Sequence, residues 1–168
     1  MSYFKFVNKN PRNLIGIVDY VKGEKRLNSS LVYGFGIDPE YVVEEMETIK
    51  KIWNQTDGRQ YKHYIFSFDN DVTLPHQTLI KIGQEIGAYF ADDYQILMAM
   101  HFDTDNIHIH YVLNTVNMFT GKKFNLSKAE IFKYKLYINQ ILNQYNLAPL
   151  VLYIGDKSLS NDYKAEKY

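Results

Sequence analysis

Two apolar segments, 94–102 (YQILMAMHF) and 107–116 (IHIHYVLNTV), flank the polar corner Asp103-Thr104-Asp105-Asn106, and this arrangement constrains the fold more than any other feature. Apolar runs bounded by a short Asp/Asn-rich corner read as the two strands of a hairpin. Within it, the string HFDTDNIHIH at 101–110 holds three of the five histidines. Strand residues alternate between faces, so His108 and His110 point the same way as Val112 and Asn114. If the hairpin turns about its corner, His101 stands opposite His108 and diagonal to His110, and three imidazoles surround one point.

Three clustered imidazoles repel one another when charged, and a divalent cation relieves this by taking a lone pair from each. A single histidine in a hairpin is ordinarily just a satisfied hydrogen-bonding residue. Three uncompensated rings on one face are costly to bury, which favours a metal site with His101, His108 and His110 as ligands. Three protein ligands leave coordination positions open, as a catalytic metal requires. A structural zinc site would want a fourth side chain, usually sulfur, and the chain has no cysteine. Asp103 and Asp105 are placed to orient an imidazole through its second nitrogen.

Elsewhere the periodicity predicts a helix over 13–22 with Asn13 as N-cap, Gly23 as the stop and Leu14, Ile17, Val18 and Val21 on one stripe. At 100° per residue, Tyr20 falls well off that stripe. A strand over 31–37 precedes a helix opened by Pro39 and running to about Asn54, with Glu44, Glu45 and Glu47 in its early turns. Residues 61–68 (YKHYIFSF) alternate as a strand, with His63, Ile65 and Ser67 on one face. Helices follow over 75–90 and from Ser127 to about Tyr145, where Ser127 and Glu130 have capping-box spacing. The fold class is α+β: a central, mainly antiparallel sheet with a histidine-bearing hairpin, packed against helices.

The 168 residues suit one domain, 1–150, followed by a tail, 151–168, that loses periodicity and ends in charge, as at the start of a further region. No apolar stretch approaches the ~20 residues needed to span a bilayer. With no apolar leader behind Lys5 and Lys9 and no cysteine, the expected location is the cytosol. Formal charge is zero, with 19 basic and 19 acidic residues, which excludes binding nucleic acid by bulk charge. The distribution is uneven: 1–37 carry net +4, 38–106 net −8 and 119–168 net +4, so an anionic partner would meet the two ends.

The string His101-x-Asp103-x-x-x-x-His108-x-His110-x-x-x-Asn114 resembles the histidine motif of the relaxases, mobilisation nucleases of conjugative plasmids and integrative elements. The likeness is to the P-type mobilisation group within the two-histidine (HUH) endonuclease superfamily. KHYIFSF at 62–68 is similar to the family's second motif, a strand ending in Ser-Phe. Asp19-Tyr20-Val21-Lys22-Gly23-Glu24-Lys25-Arg26 looks like the N-terminal helix that carries the nucleophilic tyrosine. The resemblance implies a relaxase palm fold and metal-dependent, strand-specific nicking and rejoining of single-stranded DNA at an origin of transfer through a 5′-phosphotyrosine. Accessory relaxosome proteins, a monomeric state and a bacterial cytoplasmic location go with it.

Under that resemblance Tyr20 is the nucleophile, ahead of Tyr3, Tyr33 and Tyr61, and Asp103 or a water takes the phenolic proton. Imidazole ligands favour Zn or Ni, whereas a phosphate ligand and open positions suit Mn or Mg, the expected cofactors. Lys25, Arg26, Lys122 and Lys123 flank the expected site as phosphate contacts. Asn114, on the histidine face, and Ser67, on the same face of its strand as His63, join them as DNA-contacting candidates, and His63 is a residue that could approach the site. A rolling-circle initiator or single-tyrosine transposase shares this chemistry, but those relatives usually place the tyrosine after the histidines. A non-catalytic, metal-stabilised DNA-binding module is the reading from another class.

Overall fold

The computed structural model describes residues 1–23, 30–102 and 106–152. In chain order the elements are β1 (Tyr3–Val7), α1 (Leu14–Lys22), β2 (Ser30–Phe35), α2 (Val42–Ile52), β3 (Tyr61–Ser67), α3 (His76–Gly87), β4 (Ile96–His101), β5 (His108–Asn114) and α4 (Lys128–Gln144). The strands form one sheet in the order β1-β3-β5-β4-β2, and every neighbouring pair is antiparallel.

Local chemistry explains the helix ends. The Asn13 side chain accepts from the Gly16 N–H, and Gly23 closes α1 at φ 66°, a left-handed conformation that glycine adopts without steric cost. Ser127 and Glu130 form the reciprocal capping box that starts α4. Residues 38–41 differ from the sequence expectation. Asp38 accepts from the Glu40 and Tyr41 N–H groups, so Pro39 sits in a turn and α2 begins only at Val42. The edge strand β1 was not marked in the sequence at all.

Helices cover both faces of the sheet. On one, Leu14, Ile17, Val18 and Val21 of α1 and Val42 and Met46 of α2 pack on Leu97, Ala99 and Val112. On the other, Leu79, Ile82 and Ile86 of α3 and Tyr134, Ile138 and Leu142 of α4 pack on Phe4, Tyr64, Phe66, Met98, Met100, Ile109 and Tyr111. Burying each such side chain contributes about 1.5–3 kcal/mol, so the sheet is held from two sides. Gly83 and Gly87 bring α3 close: a Cβ at Gly83 would lie 2.6 Å from Ile109 Cδ1, and one at Gly87 2.7 Å from the Phe35 ring.

The central strands β4 and β5 are almost wholly buried, and their shared end carries the histidines. Across the sheet, one row runs Tyr3, Ser67, His108, His101 and the next runs Lys5, Ile65, His110, Ala99. No helix among the described residues is long and apolar enough to cross a membrane.

Candidate active site

His101 pairs with His108 across the β4–β5 ladder, and His110 pairs with Ala99, so His101 is diagonal to His110. The three ring centroids are 4.8–5.0 Å apart. One ring nitrogen from each histidine lies within 4.8 Å of the others, a spacing that could hold a metal ion.

Hydrogen bonds decide which nitrogen each ring presents. A carbonyl oxygen only accepts, so the 2.7 Å contact to Val21 O makes His101 Nε2 the protonated nitrogen. His101 Nδ1 then carries a lone pair; it is buried and has no hydrogen-bond partner among the described residues. Such an atom calls for an explanation, and a cation provides one. His108 Nδ1 meets Asn106 O at 3.0 Å and so holds the proton, leaving Nε2 as donor to a metal. His110 Nδ1 shares a 2.9 Å hydrogen bond with His63 Nε2, which turns its Nε2 towards the cluster. Three imidazoles, each fixed through its other nitrogen, suit a divalent cation.

His63 stacks on His110 with ring centroids 5.2 Å apart, and its Nδ1 lies 3.3 Å from the Asn10 amide. Burial, reinforced by the nearby charges of Lys5 and Arg12, pushes His63 down to about 4. It is therefore neutral at pH 7, with one ring nitrogen protonated and the other an acceptor.

Tyr20 projects from the last turn of α1, 44% exposed, and its ring meets His110 edge-on at 5.8 Å. The Arg12 guanidinium lies over the same ring, 4.0 Å from its centroid. The phenol is thus held between a cation and the histidine cluster while staying open to solvent. Of the other tyrosines considered from the sequence, Tyr33 is on β2 and Tyr61 donates its hydroxyl to Arg12 O at 2.6 Å, whereas Tyr3 is on the histidine face, two strands from His108.

Residues 19–147 match the family model described as Relaxase: MobA/VirD2-like, nuclease domain. The chain belongs to that relaxase family. It is 29% identical to the protein Rlx of Staphylococcus aureus over 74% of this chain and 37% of the relative. It is 26% identical to the group II intron-interrupted relaxase LtrB of Lactococcus lactis subsp. cremoris over 69% of this chain and 25% of that protein. The relaxase chain thus spans about a third or less of the length of these relatives. A solved structure described as the molecular basis of vancomycin resistance transfer in Staphylococcus aureus overlays it with a TM-score of 0.48 at 11% identity, covering 73% of each chain.

The remaining candidates of this relaxase domain divide by position. Lys25, Arg26, Asp103 and Asp105 lie outside the described residues, as does the tail from residue 153. Ser67 is directly beside His108 on the histidine face. Asn114 shares that face but sits four residues beyond His110, roughly 13 Å along the strand. It is fully buried there, accepting from Lys50 Nζ at 2.5 Å and donating to Met46 O and Gln95 Oε1. Lys123 is bonded to the Asp57 and Gln55 carbonyls, and Lys122 is exposed beside it, at the same far end of β5. The structure therefore does not gather Asn114, Lys122 and Lys123 with the histidines. Sequence reasoning left the Asn10 and His63 contacts and the Arg12 stacking unassigned; only the strand alternation of His63 hinted at the first.

Proposed function

We propose that this domain nicks and rejoins single-stranded DNA at an origin of transfer, with Tyr20 as nucleophile, and so initiates mobilisation of a plasmid or integrative element. The observation that carries the reading is the exposed Tyr20 ring against His110, at the mouth of the histidine cluster. The Tyr20 oxygen attacks a backbone phosphorus in line, the 3′-oxygen leaves, and a 5′-phosphotyrosine bond remains. That bond conserves the energy of the broken diester, so the same site rejoins the strand when a 3′-hydroxyl returns. Asp103 is the candidate acceptor of the phenolic proton, and the departing 3′-oxygen takes up a proton from water.

His101, His108 and His110 would hold a divalent cation, Mn or Mg for activity, with Zn or Ni also compatible with the donors. When bound it supplies a Lewis acid for a non-bridging phosphate oxygen. Arg12 and His110 keep the Tyr20 ring at the approach to that phosphate, which lowers the entropic cost of attack. Ser67, beside His108, and Lys25 and Arg26, following α1 in the sequence, are the candidates for holding flanking phosphates. In this reading the substrate is an origin-of-transfer hairpin or its flanking strand. The chain acts as a monomer, with accessory relaxosome proteins, in the bacterial cytoplasm.

The test is incubation with a 3′-labelled single strand carrying an origin-of-transfer sequence, in Mn. A covalent protein–DNA band is expected from the unaltered chain and none from Tyr20→Phe, which should still bind the strand. A band that survives Tyr20→Phe removes Tyr20 as nucleophile.

A further inference from the structure

The two faces of the sheet are covered unequally. On the α3/α4 side even the edge strand is packed, Phe4 meeting Tyr134 edge-on at 5.3 Å. On the histidine side α1 and α2 cover β4 and β5. The segment before α1 then crosses the first half of β3, where Tyr61 reaches Arg12 O and His63 meets Asn10. Past that crossing no helix among the described residues covers the sheet. Tyr3, Lys5, Val7 and Ile65 share the histidine face, are only half-buried, with the Tyr3 hydroxyl itself turned inward, and belong to neither apolar cluster among the described residues.

This shelf is two strands wide, about 10 Å, and adjoins the reactive cluster: Ser67 and Ile65 are the direct neighbours of His108 and His110, with Tyr3 and Lys5 one strand further out. Among the described residues the ion pair present joins the Met1 amino group to Asp69, and neither Lys5 nor Arg12 meets a carboxylate. Lys5 Nζ instead stands 5.5 Å from the Tyr3 ring centroid, and Arg12 lies over Tyr20. Cations paired with aromatic rings along a narrow open strip match a single nucleic-acid strand, whose phosphates take the charges and whose bases take the rings. That match resolves the tension of a neutral chain acting on DNA: the attraction is local.

We propose that the β1–β3 shelf carries single-stranded DNA to the Tyr20 site, Lys5 holding a backbone phosphate and Tyr3 stacking on a base, with Arg12 at the helix-side lip. The proposal rests on the nicking reading for its substrate. Lys62 supplies an internal control: it neighbours His63 on β3 but points to the opposite face, over the Phe6 ring and bonded to Asn8 Oδ1.

The experiment is fluorescence anisotropy of a labelled oligothymidine with the whole chain carrying Tyr20→Phe, without divalent metal, across a salt series. Lys5→Gln should flatten the plot of log affinity against log salt by about 0.7, the loss of one phosphate contact, and Lys5→Arg should restore it. Tyr3→Leu should weaken binding roughly tenfold, the loss of one stacked base. Lys62→Gln should leave slope and affinity unchanged. Unaltered binding by Lys5→Gln and Tyr3→Leu, as when a second copy or another segment covers the shelf, overturns the proposal; so does an equal loss in Lys62→Gln. In nicking assays with Mn and Tyr20 restored, Lys5→Gln should raise KM and leave kcat unchanged. The Lys5 salt effect without any covalent adduct upholds the shelf and removes the nicking reading. An adduct without that effect does the reverse.

Discussion

His101 Nε2 donates to the carbonyl oxygen of Val21 at 2.7 Å, joining a histidine of the metal-capable cluster to the last turn of the helix that carries Tyr20. Carbonyls in the last turn of a helix lack an intrahelical partner, and here an imidazole satisfies one of them. The bond fixes the His101 tautomer and the end of α1 together. Any shift of the helix terminus is therefore felt at the ligand cluster, and any loss of the ring loosens the helix.

Cation binding should stabilise the fold. With Mn at about 100 times its Kd, the unfolding free energy should rise by about 2.7 kcal/mol, seen as a higher Tm that a chelator reverses. In His108→Ala the increment should disappear while the metal-free Tm changes little, because this ring is less buried than those of His101 and His110. Differential scanning fluorimetry with and without Mn checks both.

Removing His63 should weaken metal binding without removing a ligand. His63→Ala deprives His110 Nδ1 of its 2.9 Å partner, and loss of such a supporting hydrogen bond typically costs 10–100-fold in affinity. His63→Gln, which keeps a polar group there, should recover part of the loss. Isothermal titration with Mn or Zn reads the Kd directly. Equal affinity in His63→Ala and the parent would show that the contact does not tune the ligand.

Lys50 predicts a specific pH dependence. Burial, with Lys123 nearby and only partly offset by Glu47, lowers its pKa from 10.5 to about 8. Between pH 8 and 10.5 the unfolded chain holds more protons at this site than the folded one, so stability rises with pH there. Below pH 8 both states are protonated and the full penalty applies; above 10.5 it is gone. Chemical denaturation should show stability relative to Lys50→Met rising across that window, by at most on the order of 3 kcal/mol, and flat below it.

Gly87→Ala should destabilise the protein although alanine favours helix by about 1 kcal/mol. The added methyl would lie 2.7 Å from the Phe35 ring and 2.9 Å from Tyr111, and relieving such overpacking costs about 1–3 kcal/mol. A lower midpoint in urea is the expected result, and a higher one would show that α3 can lift off the sheet without loss.

Legibility in the sequence followed the range of the interactions. The histidine hairpin could be read because alternation and a turn are local, and the His101–His108 pairing follows from them. Helix α1 could be read from Asn13, Gly23 and its stripe. Strand β1 could not: it lies at the chain's start with no turn residues ahead of it and a lysine at its middle, and it becomes a strand by pairing with β3 far along the chain. The His63–His110 bond depends on the β3–β5 register, which no local pattern encodes. Asn114 shows the converse limit. Its face was legible, but only the packing of α2 shows that it answers Lys50.

Because Tyr20 and Val21 are consecutive, one turn of α1 aims a side chain at solvent and a carbonyl at His101. A single residue inserted between Asn13 and Tyr20 would rotate both by about 100°, carrying the phenol off its mark and breaking the clasp in the same stroke. Drift in composition along this helix is tolerable; drift in its length is not.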